Sequence, residues 1–199
     1  ANPAAVPVTL AGHTASILSV AYSSPDGEQL ASAGHDGTVR LWSLTNPVAT
    51  PIILEEDTHW FVWVTSVAHS PDWKQLASAN TDGTVRLRDL ANPAAAPTIL
   101  KGNEEPVYSV AYSPDGGQLA SVSADGTVRL WDLTNLTAAP TILEGNTRWV
   151  GSVAFSPDGG QLASAGYDGT VRLWDLTNPA AAPTILEGNT RWVGSVAFS

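Results

Sequence analysis

One hexapeptide, Asp-Gly-Thr-Val-Arg-Leu, returns in an unchanging frame from Asp36, Asp82, Asp125 and Asp168, and it constrains this chain more than any other feature. The steps between those aspartates are 46, 43 and 43 residues. A fixed period means one supersecondary unit copied several times, each copy too small to bury its apolar faces alone. Residues 132–156 and 175–199 differ only at Leu136/Pro179 and Thr137/Ala180, so these copies are recently duplicated. The first unit adds a residue at Ser23-Ser24, and the second adds three between Leu54 and Val64.

The third unit shows the order of elements. Val107 to Tyr112 is β-branched and aromatic, which predicts strand a, and Ser113-Pro114-Asp115-Gly116 closes it with a turn. Gln118 to Val122 reads as strand b, Ala124-Asp125-Gly126 as a tight hairpin that accepts positive φ, and Thr127 to Leu133 as strand c. The connector Thr134 to Pro140 carries alanines, but its proline and those of its counterparts oppose both helix and ladder. Thr141 to Leu143 is then a short outer strand d.

Along strand a, Val153 and Phe155 point one way and Ser152 and Ala154 the other; along strand c, Val171 and Leu173 face away from Arg172 and Trp174. Sheets with small or apolar residues on both faces must be covered on both, which blades stacked around an axis achieve. The expected fold is therefore all-β, a β-propeller of four-stranded antiparallel blades with its core between them. The expected blades are 17–54, 63–100, 106–143 and 149–186 within a single domain, with partial strands at 6–10 and 193–198. This count predicts self-association or continuation into a larger ring.

The repeats resemble the Trp-Asp (WD) repeat β-propellers in the form of a bacterial-type array of near-identical copies. The resemblance rests on Gly12-His13 followed by Ser32, Asp36 and Trp42, on the Ser-Pro-Asp-Gly turns, and on the pairs Trp131-Asp132 and Trp174-Asp175. It implies a buried tetrad of His13, Ser32, Asp36 and Trp42 in the first unit. Partial tetrads are implied at Asn103, Ser121, Asp125 and Trp131, and at Asn146, Ser164, Asp168 and Trp174, with asparagine in the histidine position. In the second unit Asp57 takes that position and Arg88 replaces the indole, so Arg88 is expected to pair with Asp57 or Asp82.

The formal charge is −10, which opposes binding to nucleic-acid phosphates or an anionic membrane surface. The absence of cysteine excludes disulfides, thiolate metal sites and a cysteine nucleophile. No apolar run approaches the roughly 18 residues of a spanning helix, and residues 1–7 lack the features of a signal peptide. The chain reads as soluble, with a cytoplasmic location favoured. Without methionine, and starting and stopping in mid-repeat, it has the character of a processed or excised piece.

Aspartate, serine and histidine invite a hydrolase reading, but Ser and Asp recur in every unit and His13 does not, which is the pattern of a repeated structural network. The turn aspartates Asp26, Asp72, Asp115 and Asp158 stand singly, without the spacing of a calcium loop. No enzyme activity, metal or cofactor is implied. Trp63, Trp149 and Trp192 align just before strand a, where the loops of one face meet. With Trp60, Tyr108, Arg148, Tyr167 and Arg191 they form the candidate partner-binding set, read either as a contact site or as packing between blades. The resemblance implies a non-enzymatic scaffold for protein partners; the alternatives are a multivalent carbohydrate-binding propeller and a purely architectural module.

Overall fold

A computed structural model of the chain describes residues 7–23, 27–56 and 61–199. All regular structure among them is β, in four antiparallel sheets of four strands. The first blade comprises β1 (Ile17–Ser23), β2 (Gln29–Gly34), β3 (Thr38–Ser43) and β4 (Ile52–Glu56). The second comprises β5 (Val64–His69), β6 (Gln75–Asn80), β7 (Val85–Asp89) and β8 (Thr98–Leu100). The third is β9 (Val107–Tyr112), β10 (Gln118–Ser123), β11 (Val128–Asp132) and β12 (Thr141–Leu143). The fourth is β13 (Val150–Phe155), β14 (Gln161–Gly166), β15 (Val171–Asp175) and β16 (Thr184–Leu186). Strand order in space follows strand order in sequence.

Local chemistry sets both hairpins. In the turn after β9, Gly116 donates to Ser113 O at 2.9 Å while the Asp115 carboxylate accepts from the Ser113 hydroxyl at 2.6 Å and from Gly117 N at 2.9 Å. In the second blade Trp73 stands where the others have glycine, and it is the only non-glycine residue with positive φ among the described residues. In the b–c hairpins the glycine alone takes positive φ, 83° at Gly126, and the aspartate does not. Gly126 N donates to Ser123 O at 3.2 Å, so this is a type I turn followed by a left-handed glycine.

Every strand a carries a bulge against strand b after its first residue, leaving Leu18, Thr65, Tyr108 and Gly151 without a partner in the register. The extra residue resets the alternation, so that Val107 and Val110, three positions apart, both face the preceding blade.

The core consists of three seams between blades. Each blade turns a leading face toward the blade before it and a trailing face toward the blade after it. In the third seam the trailing residues Ala120, Val122, Val128, Leu130 and Leu143 pack against the leading residues Val150, Val153, Leu162 and Trp174. The first and second seams repeat this with homologous residues, except that the second blade has Arg88 where the others have the strand-c indole.

Two expected strands take a different form. Residues 7–10 are not in a strand, and Val6 lies outside the described residues. Residues 193–198 run beside β13, with Val193 N donating to Gly166 O at 3.1 Å, but form no strand. The reason is the same for both. A strand d pairs with the strand c of its own blade and a strand a with its own strand b, and these segments have no such partner beside them.

Candidate functional site

In the first blade the loop before β1 brings His13 beneath the b–c hairpin. His13 Nδ1 lies 2.9 Å from Asp36 Oδ2, and Nε2 lies 2.6 Å from the Ser32 hydroxyl. The carboxylate can only accept, so Nδ1–H donates to it, Nε2 accepts the Ser32 proton, and Ser32 Oγ is left to accept from Trp42 Nε1 at 2.7 Å. Burial pushes the Asp36 carboxyl up, but bonds from Thr14 N, the Thr38 hydroxyl, His13 and Thr38 N outweigh it and hold the group below its ordinary value. The flat indole of Trp42 fits because Gly12 beneath it has no side chain; a Cβ there would stand 3.1 Å from the ring.

The asparagine blades solve the same problem with an arginine. In the third blade Trp131 donates to Ser121 at 2.9 Å, whereas Asn103 Oδ1 accepts from Arg129, which also donates to Asp125 at 2.7 Å. In the fourth, Trp174 donates to Ser164 at 3.0 Å, Arg172 donates to Asn146 Oδ1 at 3.1 Å and pairs with Asp168 at 2.9 Å. Ser164 reaches Asn146 only at 3.5 Å, and Asn146 Nδ2 has no partner. Asparagine is too short to span serine and aspartate, and the buried guanidinium fills the gap. Burial raises the Asp168 carboxyl, but donors from Thr170 and Thr147 more than offset it, and the group is held far below its ordinary value.

In the second blade Arg88 donates to the backbone carbonyls of Pro93 and Ala95, at 3.1 and 2.8 Å, while Asp82, one of its two expected partners, pairs with Arg86. The carboxylate of Glu55 is buried there, accepting from Ser78 at 2.8 Å and pairing with Arg86, which also reaches Asp82. Asp57 lies outside the described residues. The arginines at 86, 129 and 172 were legible only as one signal, a charged residue held at a fixed position on the tryptophan side of strand c, and Glu55, on β4, carried no such signal.

These networks hold the hairpins that form one face around the axis. On that face the residue before each hairpin aspartate donates its N–H to the carbonyl of the residue before strand a: Tyr167 to Trp149 at 2.8 Å, Thr81 to Trp63 at 3.0 Å, Ala124 to Pro106 at 2.9 Å and His35 to Ser16 at 2.9 Å. Side chains at these two positions, with the bulged Tyr108, then meet within and between blades. His35 lies 4.4 Å from Trp63, centroid to centroid. A longer ladder runs from Tyr108 to Trp149 at 6.0 Å, to Tyr167 at 5.7 Å and to Trp192, stacked at 5.3 Å. Trp63, Trp149, Tyr167 and Trp192 remain between 39 and 58% exposed, so each packs on a neighbour and still presents a ring. Arg148 and Arg191 are exposed beside the ladder. Trp60 lies outside the described residues, and Phe61 next to it is exposed.

The bulged residues Leu18, Thr65, Tyr108 and Gly151, with Gly194, line a depression of about 780 Å³ at the axis, together with Trp63, Tyr167 and Trp192. A second hollow, of about 570 Å³, lies over the seam between the third and fourth blades, lined by Asp125, Asn146, Arg148, Trp149 and Tyr167. Gly126 is required at that seam, because a Cβ would meet Arg148 O at 3.2 Å and the local φ is already left-handed.

The sequence profile of the family described as WD domain, G-beta repeat matches residues 6–43, 53–89, 96–132 and 139–175. The chain belongs to the WD-repeat family. Proteins of this family generally serve as non-enzymatic scaffolds that bind protein partners. The all-β class and the tandem blades of this WD-repeat chain agree with the expectation drawn from its period. No curated protein matches the chain.

Proposed function

We propose that the axial face is a docking surface for a protein partner, with the aromatic ladder Tyr108, Trp149, Tyr167 and Trp192 as its anchor and Arg148 and Arg191 on its flank. The observation that carries this reading is four contiguous rings, three of them substantially exposed, on a framework rigidified from below by buried hydrogen bonds. Aromatic residues and arginine supply most anchors at protein interfaces, and rings already held in place lose little entropy on binding. The nearby serine, histidine and aspartate do not compete as a catalytic reading. Ser32 is buried and its oxygen is engaged by both His13 and Trp42.

Selection of random peptides on the native chain tests this directly. Peptides that bind the native chain and lose binding to the folded Trp149→Ala/Tyr167→Ala variant support the surface, and peptides that bind both equally refute it. The half-exposed indoles at 149 and 192 also suit stacking on sugar rings. Saturable quenching of tryptophan fluorescence by an oligosaccharide, with no peptide selected, would replace the protein partner with a carbohydrate.

A further inference from the structure

The loop ahead of strand a reads Thr147-Arg148 in the fourth unit and Thr190-Arg191 in the terminal repeat, but Glu104-Glu105 in the third. The exchange has a structural cost. Thr147 caps the hairpin aspartate of its blade, donating to Asp168 from its N–H at 3.3 Å and its hydroxyl at 2.9 Å, whereas an ionised Glu104 side chain has no donor to offer Asp125. Among the described residues neither glutamate carboxylate has a hydrogen bond or an ion pair, and the Arg148 guanidinium has none either. The backbone of the glutamate loop is nonetheless fixed, with Ser123 Oγ donating to Glu105 O at 3.2 Å and Ala124 N to Pro106 O at 2.9 Å.

These free charges are sorted by sign. Glu104 and Glu105 line a third hollow of the axial face, of about 720 Å³, together with Tyr108 and Trp149. Trp149 is also a wall of the hollow of about 570 Å³ that holds Arg148 and Tyr167. The other charges at the two hollows, Asp125 and Arg129, offset each other in a pair at 2.7 Å. Burial pushes the Tyr108 hydroxyl up, and the charges of Tyr167 and Glu105 add to it, so Glu105 bears on that ring. The Trp149 indole, 51% exposed and in ring contact with Tyr108 and Tyr167, thus stands between an acidic hollow and a basic one. All of these residues belong to the third and fourth blades, which pack on each other across a closed seam.

We propose that the protein segment docked on this face is of mixed charge, with a basic side chain over Glu104 and Glu105, an acidic one on Arg148, and the Trp149 indole under the chain between them. Such docking rests on the axial face being the partner surface, and it names the chemistry that surface takes. Opposite charges side by side reject a uniformly basic or uniformly acidic segment, because either meets a like charge in one of the hollows. They also fix direction, since a segment turned end for end brings like charges together in both. The ring steps on either side of Trp149 are 6.0 and 5.7 Å, a span that an extended chain covers in about three residues. The basic side chain gains further from the Trp149 ring, whose negative face attracts a cation.

The test is peptide selection from one random library on the native chain and on the charge-exchanged variant Glu104→Lys/Glu105→Lys/Arg148→Glu, whose three positions are exposed. Peptides selected on the native chain are expected to share a basic and an acidic residue about three positions apart, in one order. Peptides selected on the variant are expected to carry the reverse order, which also shows that the variant is folded. Exchanging the two charged residues within a native-selected peptide should weaken its binding to the native chain about tenfold and strengthen its binding to the variant. This preference should shrink as salt is raised. Peptides that require Trp149 and Tyr167 but bind the native chain and the charge-exchanged variant alike, or that are uniformly basic or uniformly acidic, would overturn the mixed charge and leave the docking surface standing. Peptides indifferent to Trp149→Ala/Tyr167→Ala, or no selected peptide at all, would overturn both.

Discussion

Replacing His13 by Asn should convert the first blade into the arrangement seen in the fourth. His13 is buried and bridges Asp36 and Ser32 at 2.9 and 2.6 Å, whereas Asn146, at the equivalent position, approaches its serine only at 3.5 Å. The variant leaves the Ser32 proton without an acceptor in a site where Ser32 is 2% exposed. A buried group left unsatisfied costs about 1 to 3 kcal/mol. Part of this is recovered, because Arg40, which now donates from Nε to Thr38 Oγ1 at 3.1 Å, can turn to Asp36 as Arg172 does to Asp168. The net loss should therefore lie in the lower half of that range, about 1 to 2 kcal/mol, or a fall of roughly 0.5 to 1 M in the urea midpoint for a slope near 2 kcal/mol/M. Arrays of repeats can unfold blade by blade, so hydrogen exchange should be followed alongside. Protection should fall in β1, β2 and β3 and persist in β13, β14 and β15. The reciprocal Asn146→His should gain stability, since it removes the unpartnered Nδ2 and offers Ser164 a closer acceptor than Asn146 Oδ1 at 3.5 Å. If both variants shift the midpoint in the same direction, the bridge of His13 is not what stabilises the first blade.

Trp174, 3% exposed and packed in the third seam, should cost about 3 to 5 kcal/mol on replacement by Ala. Half-exposed Trp149 loses two ring contacts and should cost about 1 to 2 kcal/mol; equal shifts in urea melts would refute the division between seam and face. His69 has both ring nitrogens buried without partners, and burial lowers its pKa from the ordinary 6.5 to about 4. Between those values the unfolded chain binds the proton first, so stability should decline as pH falls from 6.5 toward 4. His69→Phe, the residue found at the same position as Phe155, should raise the melting temperature and flatten that slope, and an unchanged slope would remove His69 as its source. Asp168→Asn should destabilise at neutral pH, where the lowered pKa of the carboxylate contributes fully. Its difference from the parent should vanish once acid titrates the folded parent, as thermal melts across pH would show.

The period and the turn chemistry were legible residue by residue because they act within one unit. The Asp115 carboxylate bonds to Ser113 and Gly117, each two positions away, and Gly126 closes a turn on Ser123. Interactions that local are present in any chain carrying the hexapeptide and the Ser-Pro-Asp-Gly turn, so they set strand order and the blade without reference to the rest. The alternation along β13 and β15 likewise required cover on both sides of each sheet. Tertiary structure decided the partners. Nothing in a single unit says that Arg172 reaches back 26 positions to Asn146, that Glu55 meets Ser78, or that Arg88 turns to the connector carbonyls. Those choices depend on how the loop before one blade lies against the hairpin that follows, and a buried polar group takes whichever partner the completed packing leaves within reach. The aromatic ladder belongs to the same class. Tyr167 and Trp192 stack because the terminal segment lies along the fourth blade and brings together residues 25 positions apart, and the exposure of their rings is a property of that packing and of neither residue alone.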